Sequence, residues 1–154
     1  MNKNSFKHKL TIGWREWLAL PELGVPAIKA KVDTGARTSA LHTFQIEAFE
    51  AQGKLRVRFG IHPLQRRTDI ELFCVSDVVD ERMVTDSGGH RELRYVIQTP
   101  VRIGTMQWPI EVSLTDRDTM LFRILLGRSA IKRRFLVDSA RSYQTGRSLA
   151  HSYS

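Results

Sequence analysis

Hydrophobic and polar residues alternate along much of this chain in short pieces. Leu55, Val57 and Phe59 share one side of KLRVRF, Ile70, Leu72 and Cys74 one side of DIELFCV, and Tyr95 and Ile97 one side of RYVIQT. A period of two places alternate side chains on one face of an extended backbone, so each piece predicts a strand with a buried face. Turn formers separate them: Gly24, Gly53, Gly60 with Pro63, Gly88 with Gly89, and Gly104. One short, late helix is predicted in GRSAIKRR, over Arg128 to Arg134, between the apolar pieces MLFRILL and FLV. Nothing repeats at a fixed period. The pattern predicts an all-β fold of closely packed short strands, a barrel or a sandwich.

A chain of 154 residues is expected to form one domain with a real core. The expected division is an N-terminal extension over 1–9, the domain over 10–138 and a Ser-rich, loosely ordered tail over 139–154. Hydrophobic content of 42% and charged content of 26% suit a soluble globular protein. No apolar run approaches a membrane span of roughly 18 residues, and the start lacks the apolar core of a signal peptide. A cytoplasmic protein with no membrane partner is the expectation. Cys74, the only cysteine, forms no internal disulfide and reads as a small core residue.

Charge changes the picture in one respect. The net charge is +8, and from Leu121 onward seven Arg or Lys face one acid, Asp138. Such a bias suits an acidic partner or a solvated face. No contiguous basic motif studded with aromatic residues is present, so nucleic acid is not expected as a partner.

Two separated motifs carry the candidate chemistry. VDTGA places Asp33 after an apolar approach, where it either makes a turn with Gly35 or forms half of a carboxylate pair. ILLGR, Ile124 to Arg128, comes much later. Together, in this order on a β-rich chain, they resemble the retropepsin-like aspartic peptidases. The resemblance extends to a bacterial branch labelled ATP-dependent zinc protease, across IGWREWLALPELGVPAIKAKVDTGARTSALH, DSGGHRELRYVI and ILLGRSAIKRRFLVD.

The resemblance implies a closed retropepsin-like (acid protease) β-barrel with one short late helix. It also implies an aspartic endopeptidase in which Asp33, Thr34 and Gly35 form the catalytic loop, Ala36 keeps the floor small, and Leu126, Gly127 and Arg128 support the loop from beneath. Two carboxyls must share one proton in that chemistry, and the chain holds a single D-T-G, so a homodimer would supply Asp33 twice. An alternative is a catalytically weak peptide-binding regulatory module using the same groove. Relatives of this kind are associated with ATP-grasp ligases that add glutamate to protein tails, which implies such a ligase system as partner and an acidic peptide or protein as substrate.

The segment TDSGGH allows three readings: a serine-protease nucleophile loop, a static hairpin, or a mobile flap over residues 84 to 96. The flap reading gives Ser87, Gly88, Gly89 and His90 contacts to substrate. Arg37 stands where viral relatives carry an acid that pairs with the arginine of the Gly-Arg segment, so Arg37 and Arg128 form no such pair. Arg37 is expected to line the groove and favour carboxylates, or else to pair with Glu16. His8, His42, His62, His90 and His151 are scattered, and neither HExxH, CxxC nor a phosphate loop GxxxxGK[ST] occurs. No metal and no cofactor is expected.

Overall fold

A computed structural model of the chain describes residues 9–85, 88–117 and 120–154. The strands are β1 (Leu10–Ile12), β2 (Arg15–Leu20), β3 (Val25–Val32), β4 (Ser39–His42), β5 (Gln45–Ala51) and β6 (Lys54–Ile61), then β7 (Leu72–Asp77), β8 (Asp80–Thr85), β9 (Arg91–Ile103), β10 (Met106–Thr115), β11 (Ile124–Leu126) and β12 (Phe135–Val137). The α-helix α1 (Arg128–Ile131) is a single turn.

Alternation does its expected work in β6, where Val57, Phe59 and Ile61 are buried and the residues between them face outward or lie half-buried until Gly60. The β5–β6 turn falls at Gln52 and Gly53, both with positive φ (54° and 75°), the mirror-image turn geometry that suits a two-residue hairpin. The core gathers Leu18, Ile28, Leu41, Phe59, Ile97, Leu114 and Ile124 from seven different strands. β9 differs from a half-buried strand because Val96 and Ile97, on opposite faces, are both fully buried.

The strands divide among three sheets. β5-β6-β7 form one, β1 and β12 a parallel pair, and the third runs β10-β4-β11-β3-β2-β9-β8 with an additional β9–β10 pairing. Within the third sheet the β2–β9 seam consists of one register pair, Ala19 with Arg102, at the residue where β2 shifts register against β3, between Leu18 and Leu20. This corrects the expected closed retropepsin-like barrel: the sheet is not closed by continuous pairing, and β5 to β7 stand apart from it.

The expected helix over Arg128 to Arg134 also ends early. Lys132 leaves helical geometry at ψ 130° and Arg133 takes a left-handed φ of 68°. Arg128 and Lys132 would repel one helical turn apart, which gives the run of bases little reason to continue as helix.

Residues 139–154 run back across the domain. Trp14 N donates to Arg141 O, Tyr143 N to Arg15 O, and the Tyr153 hydroxyl to Ala27 O. Among the described residues no helix is long and apolar enough to cross a membrane.

Candidate functional site

Asp33 leaves the end of β3, and the chain returns as β4 at Ser39. Between those two strands sits β11, parallel to β3 through Leu126 and Val32 and antiparallel to β4 through Ile124 and Leu41. The inserted strand holds the ends of the 33–38 loop apart. Asp33 N donates to Leu126 O at 2.9 Å, and Gly127 N donates to Ser39 Oγ at 3.0 Å. A Cβ on Gly127 would lie 2.6 Å from the Thr38 carbonyl carbon, so only glycine fits this crossing without displacement.

Arg128 then straps the loop. Its Nη1 donates to the carbonyls of Thr34 (3.0 Å) and Gly35 (3.1 Å), its backbone N to Ala36 O (2.8 Å), and Ser129 N to Arg37 O (3.1 Å). Inside the loop, Gly35 N donates to Asp33 Oδ1 at 3.0 Å. The result is a carboxylate oriented by the backbone, half-buried, with Thr34, Gly35 and Arg37 exposed and Ala36 half-buried around it.

A groove of about 580 Å³ opens beside this loop, with Arg37, Thr38 and Ser129 on one side and Arg82, Thr85 and Glu111 on the other. β8, the first strand of the expected flap, thus borders the same groove as Arg37. Arg82 is neutralised by Asp80 (2.6 Å) and Glu111 (2.9 Å). Among the described residues no carboxylate lies within ion-pair distance of Arg37. Gly88, Gly89 and His90 are exposed at the β8–β9 turn, where Gly89 has φ 81°; Ser87 lies outside the described residues.

Glu16 does not pair with Arg37. Its carboxylate is fully buried and accepts from Gly13 N, Gln144 N and both Thr145 donors, which ties it to the tail. A buried polar strip escaped the sequence reading: His42, buried at the end of β4, lies near Arg94, Arg117 and Arg123, and its backbone N donates to Arg123 O at 2.8 Å. Burial pushes the His42 pKa below its usual value and the three positive charges push it the same way, against a backbone contact from Arg117. These residues come from β4, from β9 and from the segment between β10 and β11, so no local motif could announce them. Among the described residues no group of three or more His, Cys, Asp or Glu is placed to hold a metal ion.

The profile of the RimB-like family, described as "Retropepsin-like aspartic endopeptidase RimB", matches residues 11–148. The chain is 47% identical over 139 residues to a probable alpha-L-glutamate ligase of Shewanella pealeana, covering 90% of this chain and 30% of the ligase. A relative of the same name from Parasynechococcus marenigrum is 45% identical, with the same coverage. The chain therefore spans about a third of the length of these curated relatives. A crystal structure of a Legionella pneumophila protein of unknown function superposes with a TM-score of 0.74 at 26% identity, covering 88% of this chain and 98% of that one.

These findings correct several expectations. The relatives aligned across most of the chain carry a ligase name, so the branch labelled ATP-dependent zinc protease is not the one they point to. The expected aspartic-type endopeptidase, a homodimer cutting a protein substrate through an Asp33 dyad, is at odds with these relatives, which are named for glutamate ligation and not for hydrolysis. The family description and the relatives' name stand at opposite directions of peptide-bond chemistry, hydrolysis and formation.

Proposed function

Because the chain belongs to the RimB-like family, we propose that it serves α-L-glutamate ligation, as the part of that system that holds a glutamate-bearing chain beside Asp33. The similarity to the ligases supports the substrate class. Arg37 carries the reading on the structural side, as an exposed guanidinium with no carboxylate partner among the described residues, on the rim of a groove.

The chemistry fits these groups. α-Linked glutamates leave one side-chain carboxylate free per residue, so the chain is an array of acceptors for charge-assisted hydrogen bonds. Each such bond contributes about 1.5–3 kcal/mol when shielded and less at an exposed site such as Arg37. Asp33, oriented by Gly35 N, suits the ammonium end of the same chain. Thr34 and Gly35 shape that loop, Ala36 leaves room at its floor, Leu126, Gly127 and Arg128 fix it from beneath, and Gly88, Gly89 and His90 stand exposed at the β8–β9 turn. Amide formation in water needs an activated carboxylate, and that step falls to the larger part of the ligases, outside the aligned region.

Calorimetric titration with α-linked tetraglutamate and tetraglutamine tests the reading. The glutamate peptide should bind at low salt, and Arg37→Gln should weaken it by about tenfold, equivalent to ~1.4 kcal/mol. Equal affinity for both peptides, or release of free glutamate that stops in Asp33→Asn, would overturn it.

A further inference from the structure

A second groove, of about 510 Å³, lies on the outer face of β2 and β3 and shares no lining residue with the one beside Asp33. Its walls alternate aromatic and cationic groups. The Arg15 guanidinium sits between Trp14 (4.6 Å from the ring centroid) and Tyr143 (5.0 Å), and Lys29 Nζ between Trp17 (5.3 Å) and Tyr143 (5.6 Å). Arg147 covers Tyr143 at 4.5 Å, and Phe122 meets the edge of Trp14 at 5.7 Å. Arg66 and Arg67 close the rim. Among the described residues no Asp or Glu lines the groove. Asp69 pairs with Arg67, and Arg66 is exposed. Arg15 and Lys29 lean on π faces and donate to the neutral acceptors Ser142 Oγ and Gln65 Oε1, both at 3.1 Å.

We propose that this groove binds single-stranded nucleic acid, with bases packed against Trp14 and Phe122 and phosphates held by Arg15, Lys29 and Arg66. Uncompensated positive charge selects a polyanion. The aromatic wall decides which one, since a base presents a π face to stack and an acidic peptide does not. Pre-stacked guanidinium and ammonium groups are already oriented, so little side-chain freedom is lost on binding. The contributing residues come from segments near positions 14–17, 29, 63–67 and 121–122, which is why no contiguous basic-aromatic motif exists in the sequence.

The test is fluorescence anisotropy with a labelled single-stranded uridine oligonucleotide of about ten residues, across a salt series. Saturable binding is expected, with tryptophan quenching. Arg66→Gln, at an exposed site outside the strands, should weaken binding about fivefold and lower the salt slope by about one. Phe122→Leu should weaken it by a similar factor with the slope unchanged. The proposal is overturned by absence of saturable binding at low salt, by both variants binding like wild type, or by displacement of the oligonucleotide with an α-linked glutamate peptide of equal charge.

Discussion

Glu16 Oε1 accepts hydrogen bonds from both the backbone N–H and the hydroxyl of Thr145, at 3.0 and 2.8 Å. Its other oxygen accepts from Gly13 N (2.7 Å) and Gln144 N (2.8 Å). A fully buried carboxylate is thereby satisfied by four donors and joins β2 to the 139–154 segment. Glu16→Ala leaves those donors without their acceptor and should cost about 3 kcal/mol or more. Glu16→Gln keeps the shape and should cost less. Urea denaturation measures the loss, and limited proteolysis should cut the 139–154 segment first in the alanine variant.

Gly127→Ala should disturb the Asp33 loop selectively. The added methyl meets the Thr38 backbone at 2.6 Å, and overpacking of this kind costs about 1–3 kcal/mol. A lowered melting temperature together with shifted amide resonances at residues 33–38 is expected. An unchanged loop spectrum would mean that the crossing can open without consequence.

His42 predicts a pH dependence. Its folded pKa lies below the unfolded value near 6.5, so the unfolded chain takes up the proton first as pH falls. Stability is therefore full above pH 6.5 and declines through the window below it, down to the depressed folded value. His42→Asn should lower stability at neutral pH yet flatten this acid-side slope in denaturation midpoints.

Cys74 is 2% exposed, and burial raises its thiol pKa to about 12. It should react with a disulfide reagent far more slowly in native protein than in urea. Fast native labelling would show that the β6–β7 side of the core opens readily.

How much of this was legible beforehand depends on how local each signal is. The strand carrying Val57 and Phe59 could be read because alternation is a property of neighbouring residues. Ile70, assigned to the same face as Leu72, instead precedes β7, since its turn-rich surroundings outweigh a short apolar run. D-T-G and the Gly-Arg segment could be paired by motif, and β11 does bring them together. The Glu16 anchor, the His42 strip and the aromatic-cationic groove were hidden, because each joins residues distant in sequence whose individual types are unremarkable. The register shift of β2 against β3, beside the β2–β9 seam, is likewise something periodicity does not encode.

Among the described residues three strand pairs are parallel: β1 with β12, β3 with β11 and β4 with β10. Each joins an early strand to a late one, which delays native pairing because long loops must close first. On a ribosome adding roughly 5–20 residues per second, Asp33 emerges on the order of 5–20 s before Leu126, its backbone partner. During that interval the carboxylate exists without a site. A nascent chain halted before Ile124 would display Asp33 and Arg37 on unsupported backbone, so the order of synthesis itself withholds the strapped loop until the last strands arrive.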